Sequence, residues 1–220
     1  ICEGLVGSEM CIRDRVRTNN FVAVLGASGS GKSSLLRAGL LYQLKRGQKI
    51  SGSDRWLYIK PFTPTFSPLK NLQTAINIEG EKLGNLTEKL IEFINQVEAE
   101  KVLMVIDQFE ESFTLCETYE KRRNFFDCFL DALASEKTQN KFCLVLGMRA
   151  DFLDQCSKYP GLATKIKENQ LLVTPLEKDE IEEAIIMPAK LVDMEVEPKL
   201  VAQMAEDFLR NPGSLPLLQY

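Results

Sequence analysis

The stretch Gly26-Ala27-Ser28-Gly29-Ser30-Gly31-Lys32-Ser33 decides the fold, because it fits the pattern G-x-x-x-x-G-K-[ST] at every required position. An apolar run at 21–25 precedes it, and a segment with helical periodicity at 34–41 follows it. The pattern therefore stands between a buried strand and a helix, which is the setting of a phosphate-binding loop.

Each residue type in this loop suits phosphate binding. Glycines let the backbone curl so that successive N–H groups point at phosphate oxygens, and the helix that opens at Lys32 adds its positive dipole end. Lys32 is expected to contact the β- and γ-phosphates, and the Ser33 hydroxyl to bind Mg²⁺. The predicted nucleotide-binding residues of the loop are Gly26, Ala27, Ser28, Gly29, Ser30, Gly31, Lys32, Ser33 and Ser34.

Composition limits the classes of function. The chain has 220 residues, 45% of them hydrophobic, which is enough for one α/β core and a small appended domain. Its net charge of −4 leaves no basic stripe, so we expect no direct nucleic-acid partner. No apolar run reaches the ~18 residues of a membrane span, so we expect no membrane partner.

The cysteines and the lack of histidine limit the chemistry further. The six cysteines form no C-x-x-C pair and the chain has no histidine, so a zinc site lacks its usual ligands. We expect reduced, mostly buried thiols and a cytoplasmic location. Nucleophile systems that need an imidazole base are excluded, which leaves carboxylates, cations, a metal ion and the backbone for catalysis.

A second informative stretch is the apolar run at 102–106, which ends in Asp107. This pattern predicts a buried parallel strand that presents an aspartate at the carboxyl edge of a sheet, as in a Walker B motif. Asp107 is then expected to hold Mg²⁺ together with Ser33.

The residue that would orient the attacking water is less clear from the sequence. Many hydrolytic proteins with a Walker B motif carry a glutamate directly after the aspartate. That position is Gln108 here, which cannot act as a base. Either Glu110 or Glu111 reaches back to take this catalytic role, or hydrolysis is slow.

A third apolar run, at 142–147, predicts another buried strand that delivers Arg149 to the same edge. Arg149 is expected to sense the γ-phosphate. The alternative is a surface arginine paired with Asp151 or Asp154.

With further strands expected at 56–59 and 171–173, the fold class is α/β, with a five-stranded parallel sheet flanked by helices.

Three segments follow from these patterns. Residues 1–15 show no periodicity and end in a peptide that resembles a translated sequencing adapter, so we expect a non-native or disordered leader. Residues 16–174 are expected to form the P-loop NTPase domain. Residues 175–220 have helical patterning and are expected to form a helical lid subdomain, truncated because the pattern stops midway.

Four ordered motifs carry a family resemblance: G-A-S-G-S-G-K-S-S-L-L-R-A-G-L at 26–40, V-I-D-Q-F-E-E-S-F-T at 105–114, M-R-A-D-F at 148–152 and P-G-S-L-P-L-L-Q-Y at 212–220. Together they resemble the STAND class of P-loop signal-transduction ATPases, most nearly the first of the novel STAND NTPase groups, common in bacterial multidomain proteins. The resemblance covers residues 16–220.

The resemblance implies an ASCE-type P-loop domain with an added strand between the Walker A and Walker B strands, followed by a lid. It implies ATP or ADP and Mg²⁺ as cofactors, with Pro216 near the adenine. Expected partners are effector domains and WD or tetratricopeptide repeats of the full-length protein, and a nucleotide-dependent homo-oligomer. We expect the upstream segment that lies against the adenine in the family to be missing or replaced by the leader.

The function that these features favour is a nucleotide-controlled switch with slow ATP hydrolysis, in which ADP closes the lid and exchange to ATP opens it. One alternative is a catalytically silent nucleotide-binding scaffold, and another is a small-molecule kinase. The absence of N-K-x-D and L-S-G-G-Q motifs argues against a GTPase and a transporter ATPase.

Overall fold

The computed structural model describes residues 4–47, 50–78, 85–174, 177–191 and 193–210. At its centre is a five-stranded sheet with the strand order β2-β3-β4-β1-β5, in which every pairing is parallel. The strands are β1 (Phe21–Gly26), β2 (Leu57–Tyr58), β3 (Val102–Ile106), β4 (Phe142–Arg149) and β5 (Gln170–Val173).

The three middle strands are the predicted apolar runs, and their residues are buried along almost their whole length. Such continuous burial is typical of a parallel sheet that is covered on both faces. The strand β4 lies between β1 and β3, so the expected strand between the Walker A and Walker B strands is confirmed.

The pairing register brings the ends of the strands to one edge. Gly26 lies opposite Arg149 on one side and Val173 on the other. Beyond β2, Phe62 continues beside β3, because its N–H donates to Val105 O at 3.3 Å and its carbonyl accepts from Asp107 N at 3.0 Å. This backbone pairing fixes the position of Asp107 at the sheet edge.

Helices cover both faces of the sheet. One face packs an aromatic-rich core that includes Phe109, Phe125 and Phe129, and the other packs aliphatic residues of the P-loop helix. Outside the P-loop helix, the α-helices are α1 (Gly4–Thr18), α4 (Pro68–Ala75), α5 (Leu86–Gln96), α6 (Glu111–Thr114), α7 (Tyr119–Ala134), α8 (Leu153–Cys156), α9 (Pro160–Asn169), α10 (Lys178–Leu191) and α11 (Pro198–Arg210).

The helix after the P-loop changes its hydrogen-bond pattern along its length. It begins as α2 (Lys32–Ser34), continues as a π-helical stretch (Leu35–Leu41) and ends as α3 (Tyr42–Lys45). π-helical turns often occur at functional sites, and this one directly follows the loop that the sequence predicts to bind phosphate.

The described part of the expected leader is helical and not disordered, because the helix α1 begins at Gly4. That the leader is non-native stays a prediction. The helix α1 buries Ile12 and Val16 completely against the aliphatic face of the sheet. Arg15 Nη1 also donates to Gln170 O at 2.9 Å. Ile12 and Val16 are four residues apart, so they share one helix face, and their burial explains why the segment packs.

The helices expected after residue 175 are present as α10 and α11, and they pack through Ile181, Ala205 and Phe208. No helix in the described ranges is long and apolar enough to span a membrane.

Cys11 is disulfide-bonded, contrary to the expectation of reduced thiols, whereas four other cysteines are free and buried. These four are Cys116, Cys128, Cys143 and Cys156.

Candidate functional site

The P-loop has the curled backbone that its sequence predicts. Gly29 and Gly31 have φ angles of 75° and 81°, in the left-handed region that glycine tolerates best. Gly26 is constrained by packing instead, because a Cβ atom there would lie 2.8 Å from Ser30 Oγ and 2.9 Å from Val173 O. The loop therefore excludes side chains both for its own backbone conformation and for its contact with β5.

Lys32 folds back over the loop. Its Nζ donates to Gly26 O at 3.1 Å, to Ala27 O at 2.6 Å and to Ser30 Oγ at 3.4 Å. Burial lowers the pKa of Lys32, while the negative charges of Glu110 and Asp107 act in the opposite direction. The ammonium group thus lies at the loop that is predicted to receive phosphates, with carbonyl oxygens as its partners.

A cavity of about 300 Å³ opens at this edge of the sheet. It brings together residues from the P-loop, the end of β3 and the end of β4, so most predicted site residues surround one space. Gly26 and Ala27 are not among the lining residues, but their carbonyls accept hydrogen bonds from Lys32, which is one of them. The lining residues are Ser28, Gly29, Ser30, Gly31, Lys32, Ser33, Ser34, Asp107, Gln108, Glu110 and Arg149.

Asp107 is the most tightly held charge in the cavity. Its side chain is 3% exposed. One carboxylate oxygen, Oδ1, accepts from Ser33 Oγ at 2.9 Å and from Gln108 N at 2.9 Å. The other oxygen, Oδ2, accepts from Arg37 Nε at 3.0 Å. Gln108 reaches this position with a φ of 51°, so the backbone turns sharply directly after the strand.

Ser33 and Asp107 fit a magnesium ion by their chemistry. Their oxygens are 2.9 Å apart, and Mg²⁺ prefers oxygen ligands, of which a nucleotide site supplies several through phosphates and water. The described residues contain no cluster of three or more His, Cys, Asp or Glu side chains that would hold a metal alone. A site shared with a nucleotide is therefore the type that these two residues fit.

Arg37 is a functional candidate that the sequence analysis missed. It comes four residues after Ser33 in the P-loop helix, and residues at this spacing lie on the same helix face. That spacing was the available signal. Its significance depends on Asp107, which is 70 residues away in the chain and meets Arg37 only in the folded structure.

The two candidate glutamates are placed differently. Glu110 lines the cavity, and its Oε2 accepts from Arg149 N at 3.2 Å, which fixes its side chain. Glu111 is not among the lining residues and begins the helix α6. Burial, followed by the charges of Glu110 and Asp107, raises the pKa of Glu111. The geometry therefore favours Glu110 as the residue that faces a reacting water.

Arg149 lines the cavity and is also paired with Asp151. Pairing with Asp151 or Asp154 was the alternative that the sequence analysis left open. The Arg149 Nε and Nη2 atoms donate to the two carboxylate oxygens of Asp151 at 3.1 and 2.6 Å. Its guanidinium also lies 5.4 Å from the centre of the Phe152 ring. The hydrogen bonds between the pair raise the pKa of Arg149 and lower that of Asp151. The predicted role of Pro216 lies outside the described residues.

The sheet order, the curled loop and the buried aspartate beside the loop serine define the class: the fold is that of an ASCE-type P-loop ATPase. Solved structures of this class resemble the chain at low sequence identity. ORC2 of Aeropyrum pernix, solved as ADPNP-ADP complexes, is 13% identical with a TM-score of 0.65, covering 92% of this chain and 55% of its own. ORC1 of the same organism, solved with DNA, is 16% identical with a TM-score of 0.65 and covers 94% and 54%.

Domain III of the Thermotoga maritima replication initiation protein DnaA is 13% identical with a TM-score of 0.58, and covers 94% of this chain and 78% of its own. The chain spans little more than half the length of the two ORC chains. No curated protein matches it significantly. The chain matches the Novel STAND NTPase 1 family over residues 9–220, and it belongs to that family. The resemblance seen in the sequence is confirmed, and the match includes residues 9–15 of the expected leader.

Proposed function

We propose that this chain binds ATP and ADP with Mg²⁺ and acts as a nucleotide-controlled switch that hydrolyses ATP slowly. The observation that carries the proposal is the convergence of Lys32, Ser33, Asp107 and Glu110 on one cavity. These residues come from the P-loop and from the end of β3, and they supply the cation, the metal ligands and the carboxylate that phosphoryl transfer to water requires.

Phosphate binding would fall to the loop and its lysine. Residues 28–34 line the cavity at the start of a helix, where the helix dipole favours negative charge. Lys32 would exchange its bonds to the Gly26 and Ala27 carbonyls for phosphate oxygens. Ser33 and Asp107 would hold Mg²⁺, which neutralises charge on the phosphate oxygens when it is bound.

Hydrolysis would depend on Glu110. Its carboxylate is held in the cavity by the Arg149 N–H, so it is positioned to accept a proton from an attacking water. Gln108, directly after Asp107, also lines the cavity but cannot accept a proton as a base. Slow turnover is expected, because the carboxylate is supplied from three residues beyond Asp107 instead of from the adjacent position.

Switching requires that ATP and ADP bind the two conformations unequally, since a ligand with equal affinity for both shifts nothing. Arg149 supports such a difference, because it lines the cavity while it is paired with Asp151 at the surface. A γ-phosphate would compete with Asp151 for the guanidinium. The Arg149–Asp151 pair is therefore our candidate for the element that distinguishes triphosphate from diphosphate.

We extend the proposal to the whole protein. The units would be the P-loop domain at 16–174 and the lid at 175–220, with Pro216 near the adenine. The partners would be effector and repeat domains of a bacterial signalling protein and a nucleotide-dependent homo-oligomer in the cytoplasm. The negative charge of the chain supports neither direct nucleic-acid nor membrane binding.

The first test is to purify the 220-residue chain, denature it and identify the released nucleotide by chromatography. Stoichiometric ADP is expected, because a slow switch rests in its closed state. Bound ATP would favour a silent scaffold. We also expect Lys32→Ala to abolish measurable Mg·ATP binding in a calorimetric titration, whereas Lys167→Ala, an exposed lysine of α9, leaves it unchanged. Unchanged affinity in Lys32→Ala would reject the proposed site.

A further inference from the structure

Arg37 makes a contact that nucleotide binding as proposed above does not use. It projects from the π-helical stretch after the P-loop, and its Nε lies 3.0 Å from Asp107 Oδ2. The Arg37 side chain is 52% exposed, whereas that of Asp107 is 3% exposed. Arg37 is not among the residues that line the cavity, so it reaches the carboxylate from outside the space predicted to hold phosphates.

This contact completes the hydrogen bonding of Asp107. Ser33 and the Gln108 N–H donate to Oδ1, which leaves Oδ2 to Arg37. A buried carboxylate with no cationic partner is strongly destabilising, so Arg37 supplies the charge that allows Asp107 to be buried in the absence of a metal. Lys32 also acts electrostatically on Asp107, but its Nζ is hydrogen-bonded to Gly26 O, Ala27 O and Ser30 Oγ. Glu110 and Glu111 are acidic and cannot supply that charge.

The same contact affects the approach of a divalent cation. A metal ion and a guanidinium both favour the ionised carboxylate, and two cations at one carboxylate repel each other. A cation that binds near Asp107 must therefore displace Arg37 from Oδ2 or tolerate its charge nearby. Because Arg37 is half exposed, solvent weakens this repulsion, and the long side chain is free to move outward.

We propose that Arg37 is an internal cation that neutralises Asp107 while no metal is bound and lowers the affinity of the site for a divalent cation by competing for that carboxylate. The inference rests on the proposed function, since it takes Asp107 to be a metal ligand. Arg37 is a positioning residue in this view, because it acts through Asp107 and contacts neither the nucleotide nor the water.

The test measures the Mg²⁺ concentration that half-saturates tight binding of a fluorescent ATP analogue to the full chain. Arg37→Gln is expected to lower this concentration about fivefold, the factor that corresponds to ~1 kcal/mol for a partly exposed ion pair. Arg37→Lys keeps the charge, so its half-saturating Mg²⁺ concentration should lie between those of Arg37→Gln and the unmodified chain. The control is Arg123→Gln, which removes an exposed helical arginine paired with Asp127 at 3.4 Å and should change nothing.

A second readout is thermal unfolding in EDTA without nucleotide. Arg37→Gln is expected to lower the melting temperature, because it removes the cation that is hydrogen-bonded to the buried Asp107 carboxylate. In the Asp107→Asn background the same substitution should have little effect, since no charge remains to be neutralised. Equal destabilisation by Arg37→Gln in both backgrounds would overturn the inference, even if the single variant folds poorly.

The outcomes separate the two proposals. If Asp107→Asn leaves the Mg²⁺ requirement unchanged, the proposed metal role of Asp107 fails. If Asp107→Asn raises the half-saturating Mg²⁺ concentration but Arg37→Gln does not lower it, only the role of Arg37 fails. Loss of nucleotide affinity in Arg37→Gln when Mg²⁺ is absent would also overturn the inference, because it would show that Arg37 contacts phosphate directly.

Discussion

The ends of β3 and β4 lie side by side in the sheet, yet they hold their charged residues in opposite ways. At the end of β3, Asp107 is 3% exposed and has donors on both of its oxygens. At the end of β4, Arg149 has a 40% exposed side chain, and its partner Asp151 is 58% exposed.

This difference separates a rigid site from an exchangeable one. A buried charge is costly to leave without its partners, so the geometry around Asp107 is maintained by the fold. An exposed ion pair contributes little and is screened by salt, so the Arg149–Asp151 pair exchanges easily for another anion. The end of β3 therefore suits the metal ligand that we propose, and the end of β4 suits the proposed group that responds to the bound nucleotide.

The largest effect is expected at the rigid end. Asp107→Asn should lower Mg²⁺-dependent phosphate release by about 10²- to 10³-fold, the loss typical of removing one preorganised electrostatic group. Phosphate release under saturating ATP measures the effect, and Asp127→Asn on the exposed face of α7 is the control. A rate within about twofold of the unmodified chain would show that the buried carboxylate is structural only.

An intermediate effect is expected where the two strand ends meet, at Glu110, whose carboxylate accepts from the backbone of Arg149. Glu110→Gln should slow single-turnover hydrolysis about 10²-fold, the contribution typical of a general base, at unchanged nucleotide affinity. Glu111→Gln is the matched control, and it should change the rate less than about twofold. The assignment would be wrong if the two variants were slowed equally.

The smallest effect is expected at the exchangeable end. Asp151→Asn frees the Arg149 guanidinium and should increase the preference for ATP over ADP by about fivefold or less, because an exposed pair is weak. Arg149→Gln should decrease the preference, and Asp154→Asn should leave it unchanged. Competitive binding of ATP and ADP at low and high salt measures this preference. The change caused by Asp151→Asn should shrink as salt rises. A decreased preference in Asp151→Asn would contradict the proposed competition.

Local patterns in the sequence were sufficient for most of the fold. The apolar runs at 21–25, 102–106 and 142–147 are strands, because a strand buried on both faces must be apolar throughout. The helical patterning after residue 175 corresponds to the helices α10 and α11. The helix α1 was not expected, because the surface against which Ile12 and Val16 pack exists only once the sheet has formed.

The candidate site divides in the same way. The P-loop and Asp107 were predicted from the sequence, since the glycine spacing and the strand that ends in aspartate are contiguous patterns. Two features depended on tertiary structure: the contact of Arg37 with Asp107 and the position of Glu110 in the cavity. The pairing of Arg149 with Asp151 was one of the alternatives that the sequence left open.

The sequence by itself thus determined the class of protein, the phosphate loop and the strands that carry its chemistry, because each depends on neighbours along the chain. Only the tertiary structure decided which charges are buried together and which remain exchangeable. Burial and partner choice depend on contacts between residues that are far apart in the chain. Arg37 and Asp107 are 70 positions apart, and they meet only when the P-loop helix packs against the sheet.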